Sequence, residues 1–245
     1  LDIGACFGVY ALPMARLVGP KGGVYAFEPA SQPREHLRAG GRENSLDNLH
    51  ILAQGLSSQP GQAGLNSAAT PELTTIEDNY SSTGDGDVEL TTLDSWWQQA
   101  DRPHIDCLKL DVNGHEPWVL QGGKEFLTQL SPVVLVSIKA KDQFNQQTAQ
   151  ALKDLGYDLY QYLPGPGILV RFDQDAQPDA YLLNLLAIKP QTAAALQEKG
   201  LIAPQELEVP EPEPGYWQQH LASLPWTGPL LRTWQNQARA QESPT

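Results

Sequence analysis

The chain has 245 residues, which is enough for one substantial domain with a core of its own and an appendage. Hydrophobic residues make up 40 % and charged residues 18 % of it, a balance typical of folded globular proteins. The formal net charge is −13, and no cluster of lysine or arginine interrupts this acidity. A nucleic-acid backbone or an anionic membrane surface would be repelled, so the composition excludes both as partners.

Two cysteines, Cys6 and Cys107, are too few for a disulfide framework. Both stand in apolar sequence surroundings, which predicts buried, reduced thiols in a cytoplasmic protein. No run approaches the roughly 20 consecutive apolar residues that are needed to cross a bilayer. The first residue, Leu1, already lies inside a predicted strand, so we expect further residues before it in the natural chain.

Along the first 190 residues, short apolar runs alternate with helical patterns, which predicts βα units on a mostly parallel sheet. Helices are predicted at 9–17, 32–44, 94–100 and 148–155, with Asp94 as the N-cap of the third. Strands are predicted at 1–3, 24–28, 49–53, 88–93, 105–112, 132–138, 157–163 and 181–188. The strand at 88–93 alternates as an edge strand does. Residues 57–86 are rich in Ser, Gly, Thr and Asn, so we expect a loop and hairpin outside the core.

The composition changes after residue 189. We predict a main domain at 1–189, a short helical segment at 190–203, an extended Glu/Pro linker at 204–215 and a Trp-rich helical tail at 216–245. The tail is too apolar to remain fully solvated. It either folds back on its own domain, the arrangement that we favour, or docks on a partner.

The chain opens with LDIGACFGVY, in which a strand leads directly into a glycine turn and a helix. A dinucleotide-binding turn needs G-x-G-x-x-G, whereas Gly4 and Gly8 here form D-x-G-x-x-x-G. Asp2 stands inside the turn, where it would repel a pyrophosphate. No Gly-Lys-Ser/Thr follows, which excludes a phosphate-binding P-loop. An NAD-dependent reductase is disfavoured but stays an alternative.

Glu28 ends the next predicted strand, and the carboxyl ends of parallel strands face one crevice. An ionised carboxylate at that place can accept both hydroxyls of a ribose. The ligand that matches is a nucleoside with a cationic amino-acid arm, and S-adenosylmethionine fits this description. Asp2 would face its ammonium and sulfonium, while Gly4 and Gly8 leave room for it. The simpler alternative is a structural glycine turn beside two surface acids.

Four blocks, in order, resemble the FkbM-type family of S-adenosylmethionine-dependent methyltransferases. The blocks are DIGACFGVYALPMA, VYAFEPASQPREHL, TTLDSW and LKLDVNGHEPWVLQGG, and the resemblance extends over residues 1–189. The sequence departs from the family at Cys6 and Gly40, where Asn is usual. It also departs at Asn113, where Glu or Gln is usual, and at Ser137, where Glu is usual.

This resemblance implies an α/β class I methyltransferase fold, which is Rossmann-like. Its sheet has seven strands, mostly parallel with an antiparallel last strand, and the C-terminal extension is helical. The implied reaction is O-methylation of a hydroxyl on a sugar or secondary metabolite, with S-adenosyl-L-methionine as cofactor. The resemblance assigns cofactor binding to Asp2, Gly4, Ala5, Gly8, Glu28 and Asp111, with Gln54 as an adenine neighbour.

The stretch LKLDVNGHEPW places Lys109 and Asp111 on one side of a strand, with Asn113, His115 and Glu116 at its carboxyl end. Methyl transfer needs a group that takes the acceptor proton. His115 is the natural base, because an unperturbed imidazole has a pKa of about 6.5. Asp111 would orient His115 or the hydroxyl. Alternatively, Asp111 and Asn113 form an Asx-type turn and Glu116 starts a helix.

Alternative hypotheses for the role of this segment and for the function of the whole chain stay open. Asp111 with Asn113 or His115 could hold a divalent metal, although we predict no metal site. The leading hypothesis is an enzyme acting on a small-molecule or glycan hydroxyl. The alternative is a catalytically impaired, methyltransferase-like binding or scaffold domain of a larger protein. The changes at Asn113 and Ser137 and the Trp-rich tail motivate this alternative.

Overall fold

The computed structural model describes residues 1–66, 75–77, 87–140, 143–172 and 184–204. The helices of this part of the chain are α1 Ala11–Val18, α2 Ser31–Glu43, α3 Leu93–Gln99, α4 Glu116–Gln121, α5 Lys124–Leu130, α6 Gln146–Asp154 and α7 Pro190–Glu198. The strands are β1 Asp2–Ile3, β2 Val24–Phe27, β3 Leu49–Leu52, β4 Gly55–Leu56, β5 Gly61–Asn66, β6 Thr75–Glu77, β7 Asp87–Thr91, β8 Cys107–Leu110, β9 Val133–Ser137, β10 Lys139–Ala140, β11 Gln143–Phe144, β12 Asp158–Leu163, β13 Ile168–Arg171 and β14 Asn184–Ile188.

The large sheet has the strand order β13-β12-β14-β9-β8-β1-β2-β3. The five strands from β9 to β3 run parallel to one another, and β14 is antiparallel to both β9 and β12. This confirms the predicted mostly parallel sheet with an antiparallel last strand. The described sheet has one strand more than the predicted seven. The addition is β13, which pairs antiparallel with β12 as the outer strand of a hairpin.

The strand order reverses direction at β1, which lies between β2 and β8. Asp2 of β1 is in register with Ala26 of β2 and with Lys109 of β8. The carboxyl ends of these three neighbouring strands therefore lie side by side. A switch point of this kind opens a crevice outside the strand ends, which is where ligands bind in open α/β sheets.

Alternating side chains of β2 contribute to two separate cores. Val24 and Ala26 belong to a cluster with Ala11 and Ala15 of α1 and Leu37 of α2. Small alanine side chains on both elements let α1 pack closely on the sheet. Phe27, which follows Ala26, belongs to the larger cluster, which contains the tryptophans of α3 and the apolar faces of α4, α5 and α6.

Residues 55–91 contribute a second sheet with the order β4-β7-β5-β6. The predicted strand at 88–93 exists as β7, but its predicted edge position is wrong, because β4 and β5 pair with it on either side. The expected loop and hairpin at 57–86 contains two strands of this sheet, β5 and β6. Residues 67–74 and 78–86 of that segment lie outside the described residues.

Residues Leu1–Ala203 form one compact unit. Helix α7 lies within the predicted helical segment 190–203, and Ala193 and Ile202 pack in a small cluster with Tyr160 of β12. The predicted linker beyond residue 204 and the whole predicted tail lie outside the described residues. In the part of the chain that the structure describes, no helix combines the length and apolar character needed to cross a membrane.

Two local predictions are corrected by the structure. The cysteines are not buried: Cys6 is partly buried, and Cys107 is exposed because it begins β8 at the end of the strand opposite the crevice. The N-cap of α3 is Thr92, whose hydroxyl accepts a hydrogen bond from the Ser95 N–H, and not Asp94. The Asp94 carboxylate instead accepts the backbone N–H groups of Glu125 at 3.1 Å and Phe126 at 2.8 Å. It thereby satisfies the first turn of α5, a different helix.

Replacing Asp94 with alanine should lower the free energy of unfolding by about 1 kcal/mol, the usual loss for a removed helix cap. The physical reason is that the N–H groups of Glu125 and Phe126 lose their acceptor. Urea denaturation followed by circular dichroism measures the change. The control is Asp47→Ala, at an exposed turn position, which should leave the midpoint unchanged. Equal midpoints for the two variants would contradict the capping role.

Candidate active site

A cavity of about 320 Å³ lies at the crevice where β1, β2 and β8 end. Most of its described lining is apolar. The polar side chains that line it are Glu28, Gln54, Lys109, Asp111 and Asn113. The structure therefore brings together five of the predicted site residues at this cavity: Gly4, Ala5, Glu28, Gln54 and Asp111.

Glu28 follows β2 directly, and two backbone donors fix its carboxylate. Cys6 N–H donates to Oε2 and Ala30 N–H donates to Oε1, each at 2.8 Å. Burial is the main cause that raises the pKa of Glu28, and the nearby Asp2 carboxylate adds to this rise. Each carboxylate oxygen has a second lone pair, so Glu28 can still accept two hydroxyl groups.

The two glycines of the opening turn have different tasks. Gly4 lines the cavity with a φ of 79°, and a Cβ on it would lie 2.0 Å from the Asp111 carbonyl oxygen. Only glycine lets the turn approach the end of β8 so closely. Gly8 is not among the described lining residues. A Cβ on Gly8 would lie 2.4 Å from Leu37 Cδ1, so this glycine allows the turn to pack on α2.

Asp2 lies beneath the cavity and is not among its described lining residues. Its side chain is fully buried, and Oδ1 lies 3.3 Å from Lys109 Nζ. Burial raises the pKa of Asp2, and the Lys109 ammonium opposes this rise. The same ammonium donates to the Gly4 carbonyl at 2.9 Å. Asp2 therefore acts on the site through Lys109, a residue for which sequence analysis predicted no role.

Asp111 lines the cavity just beyond β8, and its side chain is 41 % exposed. Its Oδ2 lies 3.7 Å from Lys109 Nζ. The following loop is held by the buried Glu116, whose Oε1 accepts the N–H groups of Val112 at 2.9 Å and Gly114 at 3.2 Å. Glu116 thus holds the loop that follows Asp111 in place, which agrees with a structural role at the start of α4.

His115 lies in the same loop but is not among the described residues that line the cavity. It is only 4 % exposed, and its ring stacks on Trp118 with centroids 4.9 Å apart. Its Nε2 is 3.0 Å from Ser57 Oγ. These contacts place the imidazole between α4 and the segment after β4. The structure does not bring His115 together with the predicted cofactor residues.

The second sheet supplies one wall of the cavity. Leu56, Leu65 and Ile76, from β4, β5 and β6, line it. Gln54 lines it as well, and its Nε2 donates to Glu89 Oε1 of β7 at 3.0 Å. Sequence analysis missed Leu65 and Ile76 because single apolar residues in a polar segment carry no periodic signal. Among the described residues, no group of three His, Cys, Asp or Glu side chains is placed to hold a metal ion.

Comparisons with known proteins point to one family. Residues 2–159 match the profile of the methyltransferase FkbM domain. The 2-O-methyltransferase NoeI of Sinorhizobium fredii is 25 % identical over 214 residues, which cover 75 % of this chain and 78 % of NoeI. The methyltransferase sdnD of Sordaria araneosa is 28 % identical over 190 residues, which cover 65 % of this chain and 73 % of sdnD. A crystal structure of a methyltransferase FkbM from Methylobacillus flagellatus aligns with a TM-score of 0.48 and 13 % identity, covering 76 % of this chain and 42 % of that chain.

The sheet order, with β14 antiparallel, and the acidic crevice at the switch point define a class I methyltransferase fold. The chain belongs to the FkbM methyltransferase family. It is an enzyme that uses S-adenosylmethionine. The residues present fit this cofactor, because Glu28 and Asp111 offer negative charge to a sulfonium nucleoside. The cation that lines the cavity, Lys109, is already paired with Asp2.

The raised pKa of Glu28 predicts that S-adenosylhomocysteine affinity falls on acidification, starting above the pH at which an exposed glutamate titrates. The reason is that only the ionised carboxylate accepts both ribose hydroxyls. Isothermal titration calorimetry at decreasing pH measures the effect. Glu28→Gln should bind more weakly at neutral pH and show no such pH dependence.

The exposed Glu43→Gln, at the end of α2, is the control and should behave as the wild type. Protonation of the buried acids does not unfold the protein, so unfolding does not explain a loss of affinity on acidification. Raised pKa values make the folded state the stronger proton binder, so acidification through these groups favours folding. An affinity that stays constant down to the ordinary glutamate range would contradict the assignment.

Proposed function

We propose that the protein transfers a methyl group from S-adenosylmethionine to a hydroxyl of a sugar or secondary metabolite. The observation that carries this proposal is the position of Asp111, a partly exposed carboxylate in the same cavity as Glu28. Family membership and the similarity to NoeI, a 2-O-methyltransferase, support an oxygen acceptor.

We propose that Glu28 holds the ribose hydroxyls and that the backbone of Gly4 and Ala5 borders the amino-acid arm. Gln54 lies beside the base. When bound, S-adenosylmethionine supplies a methyl group on a positively charged sulfur that leaves as a neutral thioether. Asp111 aligns the acceptor hydroxyl, and its carboxylate accepts the hydroxyl proton as the oxygen–carbon bond forms and the carbon–sulfur bond breaks. The proton then leaves to solvent, since Asp111 is partly exposed.

Three further predicted assignments enter this proposal in a modified form, and Asn113 is added to it. Asp2 supports the cofactor turn through Lys109, and Gly8 supports it through packing on α2. We assign His115 a structural role, because its burial and its hydrogen-bonded contact with Ser57 hold its ring away from the lining. Asn113, with a φ of 53°, lines the cavity and presents an amide to the acceptor.

The remaining parts of the proposal concern partners and compartment. The net charge of −13 supports a small-molecule or glycan acceptor and argues against nucleic acid. We propose a cytoplasmic protein on the basis of its low cysteine content. For the Trp-rich tail we keep the proposal that it docks on its own domain or on a partner.

The cofactor proposal predicts that S-adenosylhomocysteine raises the melting temperature. Mass action gives about 2.7 kcal/mol at roughly 100 times the dissociation constant. Glu28→Ala should remove most of this shift, whereas the exposed Glu43→Ala should retain it. Differential scanning fluorimetry makes the comparison. An unchanged melting temperature in millimolar ligand would contradict the proposal.

Transfer of radiolabelled methyl to a hydroxylated acceptor separates the enzyme from the scaffold alternative. Asp111→Asn should lower kcat by about 10²- to 10⁴-fold, the range for a lost proton acceptor, while the affinity for S-adenosylhomocysteine, which has no sulfonium charge, changes little. Asp106→Asn, at the opposite end of the same strand and largely exposed, is the matched control. His115→Asn should lower the unfolding midpoint and change kcat little. The reverse result, with His115→Asn inactive but stable and Asp111→Asn active, would assign the base to His115.

A further inference from the structure

The rim of the cavity contains an aromatic side chain, Tyr10, to which the cofactor proposal assigns no role. Measured over the whole residue, Val9 and Tyr10 are the most exposed of the described residues that line the cavity, at 76 % and 39 %. They come directly after the cofactor turn, before α1. A substrate that enters a cavity does so past its exposed rim, so these two residues mark the mouth.

The Tyr10 ring is held from one side. Lys109 Nζ lies 5.3 Å from the ring centroid, a distance at which the ammonium is attracted to the ring face. The same ammonium is fixed by the Asp2 carboxylate at 3.3 Å and the Gly4 carbonyl at 2.9 Å. The ring therefore rests on a buried cation, while part of its surface faces solvent.

Tyr10 lies close to the proposed proton acceptor. Lys109 Nζ is 5.3 Å from the Tyr10 ring centroid and 3.7 Å from Asp111 Oδ2. A molecule that packs on the Tyr10 ring can therefore place a hydroxyl at Asp111. Asn113, also in the lining, adds an amide that both donates and accepts hydrogen bonds.

We propose that Tyr10, with Val9, is the platform for the acceptor, and that the acceptor is an uncharged pyranose sugar. This inference rests on the proposed function and names the substrate class of that same site. A pyranose has a patch of C–H groups on one face and hydroxyls around its edge. The C–H groups suit the negative face of an aromatic ring, and the hydroxyls suit Asp111 and Asn113.

The charges of the site exclude an acidic sugar. The ammonium that lines the cavity, Lys109, is already in contact with Asp2 and Asp111. The described lining residues of this wall, Gln54, Gly55, Leu56, Leu65 and Ile76, include no lysine, arginine or histidine. At the described lining, a uronate or a sugar phosphate would therefore meet carboxylates and no cation that is not already paired.

The test uses the whole chain and a panel of methyl glycosides of neutral hexoses, with the corresponding uronates and simple phenols as comparison groups. Tyr10→Ala should raise the acceptor KM about tenfold, since an aromatic contact is lost, and should leave S-adenosylhomocysteine affinity unchanged. Tyr10→Phe keeps the ring and should keep the KM. Leu17→Ala removes an apolar side chain that is 84 % exposed on α1 outside the described cavity lining, and is the matched control.

A second measurement does not depend on turnover. Saturation-transfer NMR on the protein with S-adenosylhomocysteine should show binding of neutral glycosides by the wild type and Tyr10→Phe, and its loss in Tyr10→Ala. Absence of any glycoside binding by the wild type would overturn the platform, as would equal binding by Tyr10→Ala. Methylation of phenols or uronates alone would overturn the sugar class. Glycoside binding without methyl transfer would leave the platform supported and the proposed reaction wrong. A weakened cofactor affinity in Tyr10→Ala would assign Tyr10 to the cofactor instead.

Discussion

One buried ammonium joins the two strand ends on which the site is built. Lys109 of β8 lies 3.3 Å from the fully buried Asp2 of β1, and it also donates to the carbonyl of Gly4. Removing one partner of a buried ion pair costs about 3–5 kcal/mol, because the other charge is left uncompensated. Asp2 precedes the cofactor turn and Lys109 precedes Asp111. This single contact therefore fixes the turn relative to the proposed proton acceptor.

The backbone supports the same arrangement. A side chain at Gly4 would collide with the Asp111 carbonyl and push β1 away from β8. Cys6 and Asn113, both in the cavity lining, have φ values of 48° and 53°. Non-glycine residues adopt this left-handed conformation at a cost, which the surroundings must offset. For Cys6 the compensation is visible, because its N–H points at Glu28 and holds that carboxylate in place.

The sequence predicts the large sheet well, because most of its strands are short, largely apolar runs that alternate with helical patterns. The same approach places Glu28 and Asp111 at one crevice, since parallel strand ends meet there. It fails where tertiary contacts decide. Asp94 looks like a cap for its own helix, but its carboxylate reaches α5, and Thr92 takes its place. For His115, whose chemistry suits a base, the sequence does not show the packing on Trp118 or the contact with Ser57. No local pattern reports such contacts.

The second sheet, which forms one wall of the cavity, contains acidic residues and no basic ones in its described strands. These acidic residues are Glu77, Asp87 and Glu89. A field of this sign acts differently on the two forms of the cofactor. The methyl donor carries one net positive charge, from its sulfonium, whereas the demethylated product carries none. The electrostatic part of the attraction is therefore present while the donor is held and disappears once the methyl group has left. The acidity of the wall thus contributes to donor binding without adding an equal barrier to product release.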